Sequence, residues 1–166
     1  MKGKFGILGL VLLVVAGLVA VPAPVSAVRS PVIFDTMANI YAVWYEDVMQ
    51  RNEKALEILK NVTVEGNTVV LPGNATAPAK IYNLTMQSIE TELELAKMYR
   101  ELGQNTFGYA KYIWNRLAYL RARTAMITAM NFLAEAYDKP EYKVDMKYPP
   151  ALIKLKEMFD KLISEI

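Results

Sequence analysis

Thr124-Ala-Met-Ile-Thr-Ala-Met-Asn-Phe-Leu-Ala134 is the stretch that decides the fold. It runs eleven residues without a charge. A helix that is apolar on most sides is one that its neighbours surround. This run therefore marks a central helix and calls for amphipathic helices packed around it.

Working outward, the helix begins near Thr106 and ends near Asp138, before Pro140. One apolar stripe is Ala110, Ile113, Leu117, Leu120, Thr124, Ile127, Ala134 and Tyr137. A second is Tyr112, Tyr119, Met126 and Leu133. Upstream, a helix over 78–102 carries Leu84, Ile89, Leu93, Leu95, Ala96, Met98 and Leu102 on one side, and Asn83, Gln87, Glu90, Glu94 and Glu101 on the other. Gly103 suits the stop after it. Further upstream, Ser30-Pro31 reads as an N-cap followed by proline at the first helical position. The steps Ile33, Met37, Ile40, Trp44, Val48, Ala55, Ile58 and Val62 then predict a long helix over 31–61. Between these two helices, β-branched runs flank Gly66-Asn67, a short hairpin signal, and Pro72-Gly73 closes it. The segment through Ala77 reads as a surface connection.

Downstream, residues 139–148 alternate polar and apolar and read as an extended crossover. Pro149-Pro150 opens a final helix over 149–165 with Leu152, Leu155, Phe159, Leu162 and Ile166 on one face. The expected fold is all-α: an up-down four-helix bundle of three long helices and a short fourth, with a small β-hairpin-like loop between helices one and two.

The N-terminus sets the compartment. Lys2 and Lys4 precede an apolar run from Phe5 to Val21, and Val25-Ser26-Ala27 follows Pro22 and Pro24. A basic start, an apolar centre and a small-residue site read as a secretory signal peptide over 1–27, cleaved after Ala27. The alternative is retention as an anchor, since the run of 17 residues is near the lower limit for spanning. Residues 28–166 then form a single helical domain. Export is consistent with three N-glycosylation sequons at Asn61, Asn74 and Asn83.

The formal charge of +2 comes from Lys2 and Lys4, so residues 28–166 are balanced. No basic field draws nucleic acid, and a membrane is expected as partner only through an uncleaved N-terminal segment. The chain holds no Cys and no His. That removes thiol and imidazole chemistry, and with it the usual zinc, haem and triad sites. A carboxylate-bridged di-metal site in a bundle needs Glu-x-x-His pairs, which this chain cannot supply. Glu53/Glu57 and Glu90/Glu94 lie one turn apart on polar faces and read as solvated. Glu46-Asp47 beside Trp44 and Tyr45 has a glycosidase-like composition, but adjacent helical residues point about 100° apart. Arg116, Arg121 and Arg123 among Tyr112, Trp114 and Tyr119 read as partners for the acids of the second helix. No catalytic residue, metal or cofactor is expected.

Three readings follow. The first is a non-catalytic secreted or cell-surface bundle, an envelope or accessory subunit that works through protein contacts or self-association. The second is a binding module holding a small apolar ligand in the bundle core, lined by Trp44, Tyr112, Met126 and Met130. The third is a pilin-like filament subunit or a carboxylate-only enzyme. The N-terminus is similar to a type IV pilin leader in its short basic start and long apolar run, but Pro22, Pro24 and the site at Ala27 depart from that pattern.

Overall fold

A computed structural model of the protein describes residues 31–166; the expected signal peptide, its cleavage site and the Ser30 cap lie outside the described residues. The chain is mostly helical, with four helices and a small three-stranded antiparallel sheet. In order these are α1 (Pro31–Lys60), β1 (Thr63–Glu65), β2 (Thr68–Val70), β3 (Thr76–Pro78), α2 (Ala79–Gln104), α3 (Gly108–Ala136) and α4 (Leu152–Ser164). Single 3-10 turns occupy Pro72–Asn74 and Pro140–Tyr142.

The uncharged run lies in α3, and both α1 and α2 pack along that helix. Ala118, Ala122, Ala125 and Ala129 are buried on it at helical spacing, and such small side chains let neighbouring backbones approach closely. Met126, Met130 and Leu133 are fully buried beside them. Each contributes about 1.5–3 kcal/mol by leaving water. The pairs Tyr99–Trp114 and Tyr82–Phe132 run oppositely along α2 and α3, so these helices are antiparallel. The pairs Phe34–Tyr109 and Trp44–Tyr119 advance together, so α1 runs in the same direction as α3.

Buried polar groups pin these contacts. Asn52, 1% exposed, donates its amide to the Val48 and Ala122 carbonyls at 3.1 and 2.9 Å. Asn115 accepts from Arg100 at 2.9 Å. It occupies the space left by Gly103, where an added Cβ would sit 2.7 Å from the Asn115 Oδ1.

The core differs in phase from the sequence expectation. On α1 the buried positions are Ala38, Tyr45, Val48, Asn52, Ala55 and Leu59, whereas Ile33, Met37, Ile40 and Trp44 are exposed. Ten uncharged residues, Thr36–Tyr45, leave apolarity on both sides of this half, so hydrophobicity alone does not choose the face. On α3 both expected stripes contribute: Tyr119, Met126 and Leu133 of one and Ile127 and Ala134 of the other are buried, while Leu120 is exposed.

The connection through Ala77 is also a strand. β3 pairs with β2 through Val69↔Ala77, and both residues are buried. Gly66, at φ 61°, makes the turn between β1 and β2. Pro78 ends β3 and Pro150 precedes α4, where its carbonyl accepts from Arg123. Pro149 precedes another proline, which keeps it out of the helical region, and α4 starts at Leu152 and not at 149. Between α3 and α4, Tyr142 and Val144 are buried, and Asn131 exchanges two hydrogen bonds with the Val144 backbone at 2.8 and 2.9 Å.

Candidate functional site

Residues at alternating steps of three and four form a seam along a helix. α1 carries two. The first, Ala38-Tyr41-Tyr45-Val48-Asn52-Ala55-Leu59, packs into the core. The second, Ile33-Met37-Ile40-Trp44-Asp47-Arg51, lies beside it. From Asp47 onward α4 covers the second seam. Asp47 takes Lys156, and Arg51 bonds both Asp47 and Asp160, the latter at 2.7 Å. Leu155, Phe159 and Leu162 of α4 are fully buried. Successive pairs Asp47–Lys156 and Arg51–Asp160 advance together, so α4 runs in the same direction as α1.

Above Asp47 the second seam stays open. Ile33 is 48% exposed and Ile40 44%, and Val43 beside the seam is 67% exposed. Its floor is a set of aromatic rings from α1 and α3. Phe34 meets Tyr109 edge-on at 5.1 Å between centroids, Tyr41 meets Trp44 at 5.2 Å, and Trp44 meets Tyr119 at 5.5 Å. Tyr112 joins through Tyr41 at 5.8 Å. Such pairs add about 0.5–1.5 kcal/mol each beyond burial and hold the platform rigid. Burial raises the Tyr119 hydroxyl above its ordinary pKa, with nearby Arg123 opposing. A shallow groove on the outer side is lined by Thr36, Asn39, Ile40, Val43 and Trp44. It offers apolar contact with a hydroxyl and an amide at the rim.

Of the four residues expected to line a core ligand, Trp44 and Tyr112 share this aromatic set. Met126 and Met130 are fully buried about two and three turns beyond Tyr119 on α3. Asn61, Asn74 and Asn83 are all exposed. A second open groove, lined by Ala77, Pro78, Ile81, Phe132 and Met146 with Thr128 and Asn131, lies near that region.

The charged residues engage separate neighbours. Glu46 faces Arg100 at 3.3 Å while Asp47 faces α4, so the adjacent pair serves different helices. Arg121 meets Glu92 at 3.2 Å, as interhelix pairing requires. Burial opposes ionisation of Asp47, but hydrogen bonds from Lys156 and Arg51 outweigh it and hold the carboxyl below its ordinary value of 3.8. The Glu165 carboxylate accepts from Tyr142; that bond and burial push the phenol up to about 12. Among the described residues no three carboxylates converge where an ion could sit.

The sequence reading put Ile40 on the core stripe, whereas the structure exposes it together with Val43. The available signal was the second seam itself, which meets charge at Asp47 and Arg51 where α4 docks. The chain matches no protein-family model, no curated protein and no solved structure.

Proposed function

We propose that this chain is a non-catalytic helical bundle, exported to the cell surface or beyond, that works through protein contacts. Its first three helices alternate in direction and α4 runs with α3, returned by the extended segment after Tyr142. The partner lies on the open half of the second α1 seam. The observation that carries this reading is the seam's division: its lower half holds a helix of the same chain, and its upper half offers the same spacing with no cover among the described residues. Apolar patches of this kind mark interaction sites more than isolated exposed residues do. Residues 36–45 carry no charge, so a partner meets no desolvated ion there.

The test is the size of the native assembly, measured by sedimentation of the chain recovered from its own cells. The double change Ile40→Asp and Val43→Asp should dissociate it and leave thermal stability nearly unchanged, since both side chains are exposed. A native chain that sediments as a lone monomer, or an assembly that survives the double change, overturns the reading.

A further inference from the structure

Two of the three sequons share a pattern that the third lacks. In Asn61-Val62-Thr63, Val62 packs against the core and its two neighbours are exposed. In Asn74-Ala75-Thr76, Ala75 packs inward in the same way between exposed Asn74 and Thr76. Ala75 is extended, at φ −67° and ψ 146°, and Thr63 and Thr76 open β1 and β3. In extended chain, residues two apart stand on one face. The Asn amide and the Thr hydroxyl of each of these sequons therefore share one solvent side. Asn83-Leu84-Thr85 lies within α2, where residues two apart point about 200° away from each other. Leu84 is exposed and Thr85 lines the groove beside Phe132, so the exposed Asn83 stands on the other side of the helix.

The backbone holds the turn at Asn74. Asn74 donates its N–H to the Leu71 carbonyl at 3.2 Å, Leu71 donates to the Ala75 carbonyl at 2.8 Å, and the Tyr137 hydroxyl donates to the Pro72 carbonyl at 2.7 Å. Asn74 takes φ 65°, a region that asparagine tolerates better than most residues. The sheet order is β1-β2-β3, so the two extended sequons lead into its two edge strands. Every residue of β1 is exposed. Open strand edges are templates for pairing with another chain.

We propose that Asn61 and Asn74, and not Asn83, carry N-linked glycans attached to the folded chain, and that these glycans screen the two edges of the sheet. The donor is an oligosaccharide on a polyisoprenyl diphosphate, brought by a membrane-bound transferase. The Asn amide nitrogen bonds to C1 of the first sugar as the bond from C1 to the diphosphate oxygen breaks. The lipid diphosphate departs, and one amide proton goes to solvent. The Thr hydroxyl is the second group of the sequon and must meet the same enzyme surface, which the extended sequons allow and the helix forbids. With both edges screened, the α1 seam is left as the contact surface. This rests on the exported reading of the chain, because the donor and transferase work outside the cytoplasm.

The test uses the full chain, purified folded and without sugar, incubated with membranes from its own cells that supply transferase and donor. Peptide mass mapping should find sugar on Asn61 and Asn74 and several-fold less on Asn83. Thr63→Val and Thr76→Val should each abolish sugar on the sequon they end and leave the circular dichroism unchanged, because both side chains are exposed. The full chain unfolded by Met130→Asp with Leu133→Asp, both fully buried positions, should gain sugar on Asn83. Bare Asn61 and Asn74 overturn the proposal. Equal occupancy of Asn83 in the folded chain does so too, as does an Asn83 that stays bare once the chain is unfolded, which removes the helix as the cause. The native chain with Asn61→Gln and Asn74→Gln should aggregate several-fold faster on warming than the glycosylated chain, and an equal rate overturns the screening of the edges. A bare chain recovered outside its native cells overturns the glycans and leaves export standing. Dissociation of a native assembly by the Ile40/Val43 change reports on the partner seam alone.

Discussion

The lower and upper halves of the second α1 seam share one helix and one spacing, yet α4 covers the first, at Asp47 and Arg51, and leaves the second, at Ile33, Met37 and Ile40, exposed. Below Asp47, α4 lays Leu155, Phe159 and Leu162 against the bundle and pins itself with Lys156 and Asp160. Above it, Ile33, Ile40 and Val43 face outward over a rigid floor of rings. The difference is one of length. α4 has 13 residues, or about 20 Å, against 30 residues in α1. A helix that short spans less than half of α1. What lies opposite decides the cover: the covered positions are the charged Asp47 and Arg51, which Lys156 and Asp160 of α4 pair, while the apolar positions above them stay exposed.

The sharpest way to break the comparison is Phe159→Ala. It empties a fully buried site under α4 and should cost about 3–5 kcal/mol in urea unfolding. A cost near zero would mean that α4 is not seated on the seam at all. Next comes Arg51→Met, which keeps the apolar stem and deletes the charged clamp to Asp47 and Asp160. A loss of about 1–2 kcal/mol is expected, since both bonds are charge-assisted and partly exposed.

The pH dependence of the covered half sharpens the contrast. Asp47 is held below its ordinary value, so its contribution to stability is full above pH 3.8 and is lost as pH falls through the lower folded value. The stability gap between the unsubstituted chain and Asp47→Asn should therefore narrow as the pH is taken from 5 toward 2. A gap independent of pH in that range would refute the charged clamp. The smallest effect belongs to the open half: Ile40→Ala and Val43→Ala should each change stability by less than about 0.5 kcal/mol, because neither side chain is buried. A loss comparable with Phe159→Ala would show that the open half is in fact covered.

Much of the fold was legible. The helices expected at 31–61, 78–102, 106–138 and 149–165 stand at 31–60, 79–104, 108–136 and 152–164. Gly103, expected as the stop after helix two, lies inside α2 where it makes room for Asn115, and the helix ends at Gln104. Proline breaks are local, so they read directly from the chain. The hairpin around Gly66 was legible for the same reason. β3 was not, because three residues ending in Pro78 show no alternation, and only pairing with β2 reveals them. The alanine spine of α3 was equally hidden: Ala118, Ala122, Ala125 and Ala129 draw little notice beside Leu and Ile, yet all four are buried. Asn52 and Asn115 were passed over because a polar residue inside a core needs partners that lie 70 and 15 positions away in sequence. At the candidate site, Trp44 and Tyr112 were picked out as aromatic residues, but their joint platform depends on the parallel packing of α1 against α3.

By itself the sequence determined the helical content, the breaks between helices, the central place of the 124–134 run and the want of imidazole and thiol chemistry. These follow from local backbone preference and from residue inventory, which need no neighbours. Only the tertiary structure decided which of α1's two seams is core and which half of the other stays open. Those outcomes depend on where α4 stops and on which side α3 approaches. In a ten-residue stretch without charge, the chain's own apolar pattern is degenerate, and contact with the neighbouring helices removes the degeneracy.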